Sequence, residues 1–181
     1  MHKITIIVGS LREGSFNRKL AKGLSVLGSD RFTFDFAEIG NLPLFNEDLE
    51  TEFPPEAQAL KDSINLADGV LIVTPEYNRS IPGTLKNALD WASRPAGKSA
   101  LMGKCAASIG MSPGPTGTAV CQSQVRSLLT FLGAVQMALP EVYLQYTAAL
   151  FDENDHIVDE RCKKYMLRFL DAFSAWIEKH K

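Results

Sequence analysis

The segment Gly9–Asn17 has the residue types of an anion-binding loop. It follows the apolar run Ile4–Val8 and leads into a stretch with helical spacing that begins at Asn17. Three of its side chains offer hydrogen-bond donors and a fourth carries a fixed positive charge, namely Ser10, Ser15, Asn17 and Arg12. The free backbone N–H groups of a first helical turn add further donors. The loop is therefore expected to bind a phosphate; the alternative is a polar turn in which Asn17 caps a helix.

A second loop, Thr74–Gly83, follows another apolar run and contains two prolines. Proline fixes its own φ and keeps the preceding residue out of helical angles, so the segment between the prolines is expected to be a rigid turn. Tyr77 offers a flat face to an aromatic ligand. Main-chain groups between Glu76 and Asn78 can bond heteroatoms on the edge of a ring. The loop is therefore suited to a planar heteroaromatic ligand.

Better-known nucleotide motifs do not account for the first loop. Gly9 and Gly14 have the separation of a Walker loop, but Ser15 and Phe16 stand where lysine and serine or threonine would contact the phosphates and magnesium. Leu11 occupies the position of the second glycine in the dinucleotide motif. The loop also lacks the cysteine that a phosphatase would use as its nucleophile. It is expected to hold a phosphate without cleaving it.

Strand-like and helix-like segments alternate along the chain and predict the elements that carry these loops. The apolar runs with the length of buried strands are Lys3–Val8, Phe32–Phe36, Gly69–Thr74, Lys104–Ile109 and Ala134–Leu139. The segments with helical spacing are Asn17–Leu27, Pro55–Leu66, Gly83–Ser93, Thr118–Leu132 and Val158–His180. This alternation predicts an α/β fold with an open parallel sheet. Loops 9–17, 74–83 and 110–117 are expected to meet at its carboxyl edge.

Composition excludes several classes of protein. Residues 1–181 are expected to form a single domain, because no linker or repeat divides the chain. A formal charge of −2 argues against nucleic-acid binding, and no apolar run approaches the about 20 residues of a membrane span. The start of the chain lacks a signal-peptide core, so a cytoplasmic protein is expected. The three cysteines are scattered and predict buried thiols, with no metal site. No histidine is expected to be catalytic.

The two loops together resemble the NADPH-dependent FMN reductase family, which also includes quinone and chromate reductases. The resemblance is carried by the first loop, by Thr74–Asn78 and by Ile81–Trp91, and it extends at least to Gln122–Leu129. It implies a flavodoxin-like three-layer sandwich, with five parallel strands in the order 2-1-3-4-5 and helices on both faces. It also implies a homodimer or homotetramer whose neighbouring subunits complete the flavin site.

The resemblance assigns residues to FMN position by position. Five would surround the ribityl phosphate: Ser10, Arg12, Ser15, Phe16 and Asn17. Five would line the isoalloxazine: Pro75, Glu76, Tyr77, Asn78 and, from the third loop, Ser112. Arg79 lies beside Tyr77 and would steer the nicotinamide cofactor or an anionic acceptor. The alternative interpretation is an ordinary solvated arginine.

Together the assignments predict an NAD(P)H-dependent, FMN-containing reductase. Hydride would pass from NADPH or NADH to the flavin, and then by a ping-pong sequence to a small-molecule electron acceptor such as a quinone, chromate, an azo compound or free flavin. No side chain is expected to be catalytic, because the flavin carries the chemistry. One alternative is a flavodoxin-like electron carrier without nicotinamide oxidase activity, and another is a flavin-free phosphate-binding regulator.

Overall fold

The computed structural model describes all 181 residues. The strands are β1 (His2–Val8), β2 (Phe32–Phe36), β3 (Gly69–Val73), β4 (Cys105–Ser112), β5 (Val135–Gln136) and β6 (Tyr143–Gln145). The α-helices are α1 (Phe16–Leu27), α2 (Pro55–Leu66), α3 (Gly83–Ala92), α4 (Ala119–Phe131) and α5 (Glu160–His180). Two short 3₁₀ helices cover Glu47–Glu50 and Ala148–Leu150. No helix is both long and apolar enough to cross a membrane.

The strands form one parallel sheet in the order β2-β1-β3-β4-β5, which confirms the predicted topology. The three inner strands are buried along most of their length. Their continuous apolar sequences are what strands covered on both faces require. The carboxyl ends of β1, β3 and β4 therefore lie side by side at one edge, where the predicted loops leave the sheet.

The predicted fifth strand, Ala134–Leu139, is wrong in its length. Only β5 pairs with the start of β4, and the chain then leaves the sheet before Pro140, which has no N–H to give to a strand ladder. Pairing resumes at β6, which lies alongside Gly110–Ser112 at the other end of β4. The same pairing carries the end of β4 three residues beyond the predicted end, from Ile109 to Ser112. Two short strands thus share the edge position.

The two faces of the sheet are covered by separate groups of helices. α1 and α5 pack on one face around Ile4 and Ile6 of β1, and α2, α3 and α4 pack on the other around Ile7. Alternate residues of a strand point to opposite faces, so one apolar run supplies both cores. These layers fix the starts of α1 and α4 beside the carboxyl edge, where their first turns flank the loops.

Candidate functional site

A cleft of about 300 Å³ opens between the ends of β1, β3 and β4. The structure brings nine of the ten residues assigned to the cofactor into its lining, which are Ser10, Arg12, Ser15, Phe16, Asn17, Pro75, Glu76, Tyr77 and Ser112. Met111 and Pro113 complete the lining. The sequence prediction brought loop 110–117 to this edge but assigned only Ser112 from it, and so missed these two neighbours.

Glycines let the three loops leave the sheet in contact with one another. A Cβ atom on Gly9 would lie 2.6 Å from the Thr74 hydroxyl oxygen, and one on Gly110 would lie 2.2 Å from the Thr74 carbonyl oxygen. Both distances are far shorter than a carbon–oxygen contact, so a side chain at either position would push the strand ends apart. The close approach at Thr74 therefore holds the first, second and third loops around one crevice.

The phosphate end of the cleft is the capped start of α1. Ser15 caps the helix, because its hydroxyl accepts a hydrogen bond from the Arg18 amide at 3.3 Å. The Ser15 amide donates to the Arg12 carbonyl at 3.1 Å, which closes the loop. The helix thus begins at Phe16, one residue before the predicted start, and Asn17 is not its cap. The first turn faces the cleft with the backbone donors that an anion requires.

Asn17 ties the first loop to the third. Its amide nitrogen donates to the Met111 carbonyl at 2.8 Å, and its amide oxygen accepts from the Met111 N–H at 2.9 Å. Asn17 is buried, and this pair of bonds joins the first turn of α1 to the end of β4. The side chain therefore fixes the width of the cleft.

Arg12 is held by aromatic packing and has no acidic partner. Its guanidinium lies 4.7 Å from the centroid of the Phe16 ring. Phe16 stacks in turn on Tyr146, with the ring centroids 3.7 Å apart and the planes inclined by 17°. No carboxylate lies within ion-pair distance of Arg12. Its positive charge is therefore available to an anion. No motif in the sequence pointed to the role of Tyr146.

The second loop ends in a tight hairpin. The Tyr77 amide donates to the Ser80 carbonyl at 3.1 Å, and the Ser80 amide donates back at 2.9 Å. The two residues between them are left-handed, with φ of 50° at Asn78 and 59° at Arg79. This is a type I′ turn, which suits asparagine and strains arginine. Asn78 lies at the tip and is the one assigned cofactor residue outside the cleft lining.

Two side chains hold this hairpin against α4. Gln124 accepts a hydrogen bond from the Ser80 hydroxyl at 2.8 Å and donates to the Arg79 carbonyl at 3.2 Å. Glu76, whose side chain is only 7% exposed, accepts from the Cys121 amide at 3.0 Å and from the Arg79 guanidinium at 3.3 Å. The loop is therefore pre-organised by contacts outside the cleft.

Tyr77 and Ser112 border the ring end of the cleft. Tyr77 is 44% exposed, and its hydroxyl lies 3.4 Å from the Ser10 hydroxyl, across the cleft mouth. The Ser112 hydroxyl donates to the Gly117 carbonyl at 2.6 Å, so it stabilises its own loop. The open face beside Tyr77 is the part of the cleft that a planar ligand can use.

The thiol nearest to the cleft cannot act as a nucleophile. Cys121 is completely buried, and its sulfur lies 3.7 Å from the Thr74 hydroxyl. Burial raises the pKa of the Cys121 thiol to about 11. The reactive thiolate is therefore almost absent at neutral pH.

The cleft fits FMN by the chemistry of its donors. One end presents a helix start and an unpaired guanidinium, which suit the phosphate, and the other presents a half-exposed tyrosine beside an ordered hairpin, which suits a flat ring. Fold and site together define a flavodoxin-like protein whose cleft suits a phosphate at one end and a flat ring at the other.

Comparisons with known proteins agree with this class. The sequence profile of the NADPH-dependent FMN reductase family matches residues 2–149. The chain is 50% identical to a 2-hydroxy-1,4-benzoquinone reductase from Burkholderia sp over 97% of this chain and 96% of that protein. It superposes on the flavoenzyme NAD(P)H:(acceptor) oxidoreductase FerB from Paracoccus denitrificans with a TM-score of 0.96 and 44% identity, over 99% of both chains.

The fold likeness reaches further, to the flavodoxin WrbA-like protein from Agrobacterium tumefaciens, with a TM-score of 0.65 at 15% identity over the full length of both chains. The chain belongs to the NADPH-dependent FMN reductase family. It is an oxidoreductase that uses FMN as cofactor and NAD(P)H as co-substrate, which confirms the expectation drawn from its motifs.

Proposed function

We propose that this protein is a quinone reductase that holds FMN in the cleft between β1, β3 and β4. One observation carries this proposal. At one end of the cleft, the Arg12 guanidinium, which has no acidic partner, lies beside the capped start of α1, and Tyr77 borders the other end. A dianionic phosphate and a flat ring are the two groups that this arrangement suits.

Each assigned residue has a role in that proposal. Arg12, Ser10, the Ser15 hydroxyl and the first-turn amides of Phe16 and Asn17 bind the phosphate. The main chain of the second loop binds the edge of the ring, with Pro75 and Glu76 setting its path and Asn78 contributing its N–H from the hairpin. Tyr77 covers the ring and Ser112 stabilises the loop on the opposite side. The support for these roles is the lining of the cleft and the hydrogen bonds that fix each loop.

The chain supplies binding and orientation, and FMN when bound supplies the transfer of two electrons from nicotinamide to an acceptor. We infer that NAD(P)H and the acceptor use the same open face beside Tyr77 in turn. The cleft has one such face, so the first product must leave before the second substrate enters. This arrangement predicts ping-pong kinetics.

The acceptors in this proposal are small, flat or compact oxidants. Quinones are the main acceptors that we propose. Chromate, azo compounds and free flavin are also proposed, because the open face has few groups that would exclude them. Arg79, whose side chain is 69% exposed beside the cleft, would attract anionic acceptors such as chromate. Its contacts with Glu76 and Thr116 are long enough to be exchanged for a ligand.

We further propose that residues 1–181 act as one domain and assemble into a homodimer or homotetramer. Three large apolar side chains support the assembly, because Phe131, Met102 and Leu139 are 83%, 66% and 73% exposed. Phe131 and Met102 border one surface depression, which a second copy of the chain would cover.

Steady-state kinetics of the FMN-loaded protein tests the proposed function. Initial rates are measured while NADPH or NADH and 1,4-benzoquinone are varied against each other. Parallel double-reciprocal lines are expected, together with a higher KM for chromate and an unchanged KM for benzoquinone in Arg79→Gln. Intersecting lines would contradict the shared cleft, and the absence of turnover with every acceptor would favour an electron carrier.

A further inference from the structure

The largest cavity of the molecule, about 470 Å³, lies outside the flavin cleft. It is bounded by the start of α5, as far as Arg168, and by the segment from β6 through the 3₁₀ helix Ala148–Leu150. Leu144, Leu150 and Tyr165 form its apolar wall. This volume falls within the range of about 300–1,000 Å³ typical of small-molecule sites, and nothing in the proposed chemistry uses it.

Three cations stand along the rim of this cavity. Arg161, Lys164 and Arg168 are spaced by three and four residues, so they share one face of α5. None of them lies within ion-pair distance of a carboxylate, although Lys163 on the same helix pairs with Glu160 at 3.7 Å.

One acidic residue, Asp159, also lines the cavity. Its carboxylate accepts a hydrogen bond from the Cys162 amide at 2.7 Å as the cap of α5, so it does not pair with the cations. Three uncompensated cations therefore remain on an apolar depression, and this combination selects a ligand with an apolar ring and more than one negative group.

The cavity and the flavin cleft share a wall. Gln145 lines the cavity and lies opposite Ser112, which lines the cleft, in the register of β6 with β4. The Gln145 side-chain amide also donates to the carbonyl of Pro113, another cleft residue, at 3.0 Å. Parallel neighbouring strands are about 4.8 Å apart, so residues that line the two sites lie side by side on adjacent strands. A ligand with two parts can reach both.

We propose that this cavity binds the adenosine end of NADPH, with the 2′-phosphate on the arginines. The assignment rests on the proposed function, which places the nicotinamide end of the same molecule beside Tyr77. From Arg161 to Arg168 the helix rises by about 10 Å, so the cations can contact phosphates on both sides of a ribose. Leu144, Leu150 and Tyr165 receive the purine. NADH lacks the 2′-phosphate, so its contacts with this surface contribute less to its affinity.

The test separates the cavity from the flavin site. Binding of adenosine 2′,5′-bisphosphate and of 5′-AMP to the FMN-loaded protein is measured by calorimetry, and KM is measured for NADPH and NADH. The variants are Arg168→Gln and the double variant Arg161→Gln/Arg168→Gln. Lys179→Gln is the matched control, because Lys179 is exposed on the same helix, outside the cavity, and has no acidic partner.

The bisphosphate is expected to bind more tightly than 5′-AMP and to lose affinity about tenfold for each arginine removed. KM for NADPH rises in parallel and KM for NADH rises less, while kcat and FMN affinity stay unchanged, and Lys179→Gln matches the wild type. Equal binding of the two nucleotides, or an unchanged KM for NADPH in the double variant, would overturn the proposal. In that case continued turnover would leave the proposed function standing. Tight bisphosphate binding without any nicotinamide oxidation would retain the site and reject the function.

Discussion

The carboxylate of Glu76 caps helix α4 from outside that helix, because it accepts a hydrogen bond from the Cys121 amide, in the first turn, at 3.0 Å. Thr118, the residue at the cap position, makes no capping bond of its own. A negative charge at a helix start is stabilised by the helix dipole. The second loop is thereby fastened to α4 through a side chain that also lines the cleft.

Removal of this cap should loosen the loop and weaken FMN binding. Glu76→Ala is expected to lower the free energy of unfolding by about 1 kcal/mol, the usual cost of a lost helix cap, and to raise the Kd for FMN. Glu76→Gln keeps an acceptor oxygen and should lose less than half as much. Urea unfolding of the apoprotein and flavin fluorescence measure the two quantities. Glu52→Ala, an exposed position, is the control, and equal effects of all three variants would reject the cap.

Asn17→Ala should be among the most destabilising changes at the cleft. It leaves the buried N–H and carbonyl of Met111 without partners, which is expected to cost about 2–3 kcal/mol in the free energy of unfolding. Asn17→Asp retains the acceptor and loses the donor, so its free energy of unfolding should lie between those of the wild type and Asn17→Ala. Asn41→Ala, at an exposed position, serves as the control in the same urea titrations. If Asn17→Ala lowered the free energy of unfolding no more than Asn41→Ala, the hydrogen bonds from Asn17 to β4 would not be needed for stability.

The sequence predicted the parts of the fold that depend on local pattern. β1, β3 and most of β4 are buried on both faces, and burial of that kind requires a continuous apolar run. The split between β5 and β6 was missed, because edge strands carry mixed sequences and Pro140 interrupts the ladder.

The site shows the same division. Nine of the eleven residues that line the cleft were named from their motifs, but what several of them contact was not predictable. The bonds from Asn17 to Met111 join residues 94 positions apart, and the left-handed backbone of Arg79 opposes the preference of arginine itself. Tyr146 stacks on Phe16 only because β6 returns the chain to the carboxyl edge. Tertiary packing determines all three.

Stability in acid should depend on Asp155. The hydrogen bond from Lys19, opposed by partial burial and reinforced by Lys22, holds the pKa of the Asp155 carboxyl below its ordinary value. A lowered pKa in the folded state contributes stability that is complete above the unfolded pKa of about 4 and is lost as pH falls through the folded value.

Asp155→Asn removes that contribution while keeping a residue that tolerates the φ of 64° at this position. It should lower the free energy of unfolding by about 1 kcal/mol at pH 7 and flatten its decline below pH of about 4. Urea unfolding at a series of pH values measures both effects, with the exposed Glu153→Gln as control. A variant whose acid decline is as steep as that of the wild type would contradict the role of Asp155.

Thiol reagents should leave the native enzyme active. All three cysteines are buried, and burial raises the pKa of Cys121 and of Cys162 to about 11. Iodoacetamide at pH 8 should label none of them in the folded protein and all of them in urea, as counted by mass spectrometry. Rapid labelling of Cys121 in the native state, with loss of quinone reduction, would show that a thiol participates.

Titration of the apoprotein with FMN and with riboflavin tests the central claim most directly, because the two flavins differ only in the phosphate. FMN is expected to bind at least about tenfold more tightly than riboflavin. Arg12→Ala should weaken FMN and leave riboflavin unchanged. Equal affinities for the two flavins, or an Arg12→Ala variant that binds FMN as tightly as the wild type, would contradict the assignment of this cleft to the flavin phosphate.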